Sequence, residues 1–223
     1  MIVSRLSRSG VRAFSSHVPF VLPEFPVLLD ELERDGKEKR YIKVSKLTNL
    51  FKQVTTKDEL EAATQAFKIF ERKHIDPVEN TAGEFVKASL KQDAADVALN
   101  ALSNNFRIGL FFNTGMLNKL LAHFESKQDD ASIVAAFESI QKFEVAVNAT
   151  TYQHVISALI RSGDSEKAVE LAQVAASHGA LNEATKALVD SATAHAVEEE
   201  VATEEGAAAE EATSESNEKP PSA

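Results

Sequence analysis

Apolar residues in the middle of this chain recur with a period of 35. Leu47, Ala82, Leu117 and Tyr152 form one column, followed by Leu50, Phe85, Leu120 and Val155, and then by Phe51, Val86, Leu121 and Ile156. Ala63, Ala98, Ile133 and Ala168 form a fourth column, and Phe67, Leu102, Phe137 and Ala172 a fifth. Ile75, Leu110, Val145 and Ala180 close the unit. Self-similarity at a fixed period of this length marks a stacked repeat. Within the third unit, Leu117, Leu120, Leu121 and Phe124 follow the i, i+3, i+4, i+7 stripe of an amphipathic helix, as do Ile133, Ala136, Phe137 and Ile140. Each unit is therefore expected to be a pair of helices. Neither helix can bury its stripe alone, so neighbouring units must stack.

Local signals agree with this division. Thr56 with Glu59 has the spacing of a capping box, and Asp93 and Asp164 suit N-cap positions. Asp129-Asp130 precedes a helix and is read as capping rather than as a metal site. Gly109, Gly163 and Gly179 fall where turns are needed, and Ala66, Ala101 and Ala136 keep one position small for close helix approach. The expected fold is all-α, an α-solenoid of about four helix-turn-helix units at 45–79, 80–114, 115–149 and 150–184. Residues 15–44 begin extended around Pro19, Pro23 and Pro26 and then form a short helix over Val27–Arg34, while residues 185–196 are a terminal helix or linker.

The two ends have different compositions. Residues 1–14 hold Arg5, Arg8 and Arg12 on one side of a helical projection and no acid, the pattern of a mitochondrial transit peptide. Arg12 stands three residues before an expected cleavage between Phe14 and Ser15, and the matrix is the expected location. Residues 197–223 carry nine glutamates and one lysine and lack the apolar side chains that would offset ordering entropy; a disordered acidic tail is expected.

Composition narrows the chemistry further. Cysteine is absent, which excludes disulfides, zinc–thiolate sites and cysteine nucleophiles. The eight glycines form no phosphate cradle, and the six histidines form no HExxH. No membrane span, enzyme activity, metal, cofactor or small-molecule substrate is expected. The net charge is −10, but it is unevenly placed. Lys37, Lys39, Arg40, Lys43, Lys46, Lys52 and Lys57 face only Glu38 between positions 37 and 57. This stretch is either a contact for RNA backbone phosphates or a solvated helix face.

A period of 35 with paired helices resembles the pentatricopeptide repeat family. The fourth unit carries the likeness best, in Thr150-Thr151-Tyr152-Gln153-His154-Val155-Ile156-Ser157-Ala158-Leu159, Gly163 and Ala168-Val169-Glu170-Leu171. A tetratricopeptide or other helical-hairpin array would leave the architecture unchanged. The resemblance implies single-stranded RNA read by the fifth and last residues of each unit, here Asn49, Glu84, Lys119 and His154 with Glu79, Thr114, Ala149 and Ala184. None of these pairs matches the family's base-reading combinations. From His74 to Ala196 there are nine Lys/Arg against fifteen Asp/Glu, so sequence-specific reading by the repeats is disfavoured. Val44-Ser45-Lys46-Leu47-Thr48, Thr55-Thr56-Lys57-Asp58-Glu59-Leu60, Leu90-Lys91-Gln92-Asp93-Ala94-Ala95-Asp96-Val97-Ala98-Leu99, Gly109-Leu110-Phe111 and Asn118-Lys119-Leu120-Leu121 are similar to the pentatricopeptide-type proteins of the mitochondrial small ribosomal subunit. That likeness implies a non-catalytic scaffold contacting ribosomal proteins and small-subunit rRNA without reading its sequence. The alternatives are a free mitochondrial RNA-processing or RNA-stabilising factor and an accessory or assembly protein of a respiratory complex.

Overall fold

A computed structural model describes residues 22–104 and 106–192. The expected transit peptide, its Phe14–Ser15 cleavage point and the acidic tail lie outside the described residues. Those described are all-helical, with no strand among them. In chain order the helices are α1 (Phe25–Glu38), α2 (Val44–Lys52), α3 (Lys57–Arg72), α4 (Glu79–Lys91), α5 (Ala95–Ser103), α6 (Thr114–Ser126), α7 (Asp130–Gln141), α8 (Ala149–Arg161) and α9 (Ser165–Ser177), with a 3-10 segment at Arg107–Phe111. The chain is helical again over residues 183–192, here α10. Among the described residues no helix is long and apolar enough to cross a membrane.

The period of 35 reappears in the backbone. Helices α2, α4, α6 and α8 begin at Val44, Glu79, Thr114 and Ala149, thirty-five residues apart. The turns that follow α4, α6 and α8 each place one residue in the left-handed region: Asp93 (φ 54°), Gln128 (φ 57°) and Gly163 (φ 82°). Each turn is closed by the same backbone bond to the last helical turn, from Ala94 N–H to Ser89 O, Asp129 N–H to Phe124 O and Asp164 N–H to Leu159 O, at 2.9–3.0 Å. This is the Schellman closure that satisfies otherwise orphaned carbonyls. A second set of left-handed residues, His74, Glu144 and Gly179, ends α3, α7 and α9 in the same register. Its missing member is Gly109, which sits in the 3-10 segment instead of a left-handed turn.

Packing follows from the stripes. Consecutive helices from α1 to α9 touch; in addition α2, α4, α6 and α8 pack in succession, as do α1, α3, α5 and α7. Five of the six apolar columns are buried in every unit. The sixth lies in the link between units, where Leu110 is 50% exposed. Ala66, Ala101 and Ala136 are buried and leave room for the opposing helix. At the junction of the first two units, Phe51, Phe67 and Phe85 stack with ring centroids 5.1–5.3 Å apart. The Thr48 and Thr81 hydroxyls, both buried, bond each other at 2.7 Å between α2 and α4.

Several local expectations are corrected. The short helix over Val27–Arg34 is a fourteen-residue helix that starts at Phe25, because Pro26 at its first turn has no N–H to leave unsatisfied there. Gly36 lies inside it because α1 runs close against α3: a Cβ there would stand 2.7 Å from Ile69 Cγ2. Asp93 is the turn residue rather than the cap, since Ala94 occupies the N-cap of α5. Asp164 stands at the N-cap of α9 without a side-chain cap bond, its carboxylate instead accepting from Lys167 Nζ at 2.5 Å. Thr56 caps α3 by accepting from Glu59 N–H at 3.2 Å, but Glu59 reaches back to Thr55, not Thr56. Asp129 does cap α7, through Ser132 N–H at 3.1 Å, and the full capping box belongs to Asn148 and Thr151 on α8.

Candidate nucleic-acid interface

Helix direction decides where the seven cations of positions 37–57 go. Lys37 is in the last turn of α1, and Lys39, Arg40 and Lys43 lie in the link to α2. Lys52 ends α2 and Lys57 starts α3. Helix α1 lies against α3 with Leu29 near Ala62 and Gly36 near Ile69, so their C-termini share one end. At 1.5 Å per residue the two ends of α3 are about 24 Å apart, and Lys57 is at the far one. The stretch is thus split between opposite ends of the helices.

Ion pairing divides the group again. Lys46 Nζ meets Glu31 at 2.6 Å and Asp35 at 2.5 Å, Lys39 meets Asp35 at 2.7 Å, and Lys57 meets Asp96 at 2.6 Å. Burial works against the Lys46 ammonium, but the hydrogen bonds it donates to Asp35 and Glu31 outweigh it and raise its pKa. The Asp96 bond likewise raises that of Lys57. These three cations are engaged within the fold. Lys37, Arg40, Lys43 and Lys52 are exposed and have no ion pair among the described residues.

Asp35 is the fixed point of this corner, only 2% exposed between two ammonium groups. Bonds from Lys39 and then Lys46 hold its carboxyl at about pKa 2, against 3.8 ordinarily. A carboxyl depressed in the folded state stabilises the fold above its unfolded pKa, and the contribution is lost as pH falls through the folded value. Thermal unfolding followed by circular dichroism should therefore show a loss of melting temperature between about pH 4 and pH 2 that Asp35→Asn reduces. The same Asp35→Asn change should lower the melting temperature at pH 7.

The positions that would read RNA bases in the pentatricopeptide family are mostly engaged inside the protein. His154 Nδ1 lies 2.6 Å from Glu125 Oε2, and Glu84 faces Lys87 at 3.6 Å. Glu79 accepts from Asn113 Nδ2 at 2.6 Å, and the Thr114 hydroxyl donates to Ala146 O at 2.7 Å. Lys119 is exposed, Asn49 half-buried, and Ala149 and Ala184 have no polar side chain to offer. Glu125 also faces Arg161, whose guanidinium grips Asp130 at 2.6 Å. Apart from the Glu84–Lys87 pair, which lies within α4, these bonds join successive units to one another.

Three cations outside the 37–57 stretch complete the amino-terminal corner. Lys68, Arg72 and Lys73, near the end of α3, line a cleft of about 490 Å³ together with Lys37 and Glu33 of α1. Lys73 Nζ donates to the backbone O of Lys39. A second depression of about 540 Å³ adjoins it, lined by Arg40, Tyr41, Lys73 and His74, and Tyr41 there is 66% exposed. The signal in the sequence is register: Lys37, before the first unit, and Arg72, within it, stand 35 residues apart, one repeat period. No group of three or more His, Asp or Glu side chains among the described residues is arranged to hold a metal ion. No protein-family model matches the chain, and no curated protein matches it with statistical significance.

Proposed function

We propose that this chain is a non-catalytic α-solenoid of about four pentatricopeptide-like units, a structural component of the mitochondrial small ribosomal subunit that contacts rRNA backbone and neighbouring proteins. The observation that carries the reading is the coincidence of helix starts, left-handed turns and buried columns on one 35-residue register. Repeats related in this way stack into a quasi-one-dimensional array with extended surfaces for partners. At three of the base-reading positions, Glu79, Thr114 and His154, the side chain is spent on a contact between units, which favours a scaffold over a sequence reader. The basic leader supports the mitochondrial location, and the likeness to the ribosomal pentatricopeptide-type proteins supports the particle.

Gradient sedimentation of gently lysed mitochondria tests this. The protein should travel with small ribosomal subunits and leave that position after nuclease treatment. Sedimentation as a free monomer would reject the reading. Nuclease-resistant co-migration with a respiratory complex would establish the accessory role instead.

A further inference from the structure

Two helices end side by side at the amino-terminal corner, and the charge collected there exceeds what helix ends require. A helix C-terminus carries about half a negative charge, which one cation in its last turn answers. Here Lys37, Arg40, Lys68, Arg72 and Lys73 gather at the ends of α1 and α3, and Glu33 is the one carboxylate among the residues lining the cleft. Of the nearby acids, Glu38 at the end of α1 is exposed and unpaired among the described residues, but the others are engaged: Asp35 by Lys39 and Lys46, Asp76 by the Arg107 guanidinium at 2.5 and 2.9 Å, and Glu71 by Arg107 N–H at 2.9 Å. The depression that shares Lys73 holds the exposed ring of Tyr41 beside Arg40. A cationic groove continued by an aromatic platform is the combination that holds single strands, with phosphates over the cations and a base on the ring. An acidic protein surface would use the cations but has no need of the platform.

We infer that this corner is a binding site for single-stranded RNA, with backbone phosphates at Lys37, Lys68, Arg72 and Lys73 and one base stacked on Tyr41 beside Arg40. The inference rests on the reading of the chain as an RNA-docked scaffold, and it moves the point of contact from the 37–57 stretch to the paired ends of α1 and α3. Recognition there is sequence-tolerant, because every base offers a face and every nucleotide a phosphate.

The test is fluorescence anisotropy of the full-length chain with a labelled 20-nucleotide oligouridine over a range of salt concentrations. Lys68→Glu with Arg72→Glu should weaken binding by at least about tenfold and reduce the salt slope by about 1.4, two phosphates at roughly 0.7 each. Tyr41→Ala should weaken it by about five- to a hundredfold, and Tyr41→Phe should restore it. Lys52→Glu with Lys91→Glu makes the same charge change at the opposite helix ends and should leave affinity within about threefold. All substituted side chains are exposed or at the surface, and circular dichroism confirms folding of each variant. Equal losses from the two charge reversals, an unaffected Tyr41→Ala protein, or no binding at low salt would overturn the site. Retained co-sedimentation by the Lys68→Glu/Arg72→Glu protein would reject the site alone, whereas oligouridine binding with no ribosomal co-sedimentation would reject the particle and leave the site.

Discussion

Replacing Phe85 with alanine should cost about 3–5 kcal/mol, the range for deleting a buried aromatic ring. Phe85 is fully buried on α4, and its ring meets Phe51 of α2 at 5.1 Å and Phe67 of α3 at 5.3 Å. Phe67 in turn meets Phe106 at 5.9 Å, so one ring binds three helices and the entry to the 3-10 segment. The surrounding atoms belong to different helices and cannot collapse onto the cavity without moving helix axes, which places the cost in the upper part of the range. A loss of that size is a large fraction of the 5–15 kcal/mol typical of a folded domain. Urea unfolding monitored at 222 nm measures it. The stacked array proposed above makes the damage local as well: the transition should broaden or split as α1–α3 separate from the later helices. Phe85→Leu, which retains much of the volume, should cost clearly less and keep a single transition.

The same cluster shows how far the sequence could be read. Phe51, Phe67 and Phe85 all belong to columns found from the 35-residue period, and burial follows that period in five columns of six. The period works because each unit buries its stripe against neighbours built from the same stripe. It fails where the unit is edited locally. Leu110 belongs to the sixth column, yet it stands half out of the protein because residues Arg107–Phe111 form a 3-10 turn where other units have a single left-handed residue. Gly36 gives no sequence signal for its role, since a glycine inside a helix reads as a defect until Ile69 is seen beside it.

The candidate interface was less legible, for a topological reason. A run of cations reads as one patch only when the chain between them does not reverse. Here α2 reverses it, carrying Lys52 and Lys57 to the end opposite Lys37 and Arg40. Partners distant in sequence then neutralise Lys46 and Lys57, and others, Lys68, Arg72 and Lys73, restore the charge at the α1 end. Local composition carries none of this information. The shared register of Lys37 and Arg72 does, once the repeat is taken as the unit of reading.

Gly109→Ala should destabilise the protein by about 1–3 kcal/mol, the usual cost of overpacking. Backbone conformation is not the cause, because among the described residues Gly163 and Gly179 are the glycines with positive φ and Gly109 is not one of them. The obstacle is the ring of Phe143, whose Cε2 and Cζ would lie 2.5 Å and whose Cδ2 2.7 Å from a new Cβ. Three ring atoms at these distances cannot be cleared by a small torsional adjustment, so the ring must swing outward. Phe143 is half-buried, and turning it toward water forfeits apolar burial at the link between the second and third units. The whole effect therefore lies in one contact, which a double-mutant cycle isolates. In a Phe143→Ala background the Gly109→Ala change should be neutral or slightly stabilising, since alanine restricts the unfolded chain more than glycine does. An undiminished loss in that background would place the cause in the 3-10 backbone itself. The absence of a side chain at position 109 would then serve the turn rather than the approach of the next unit.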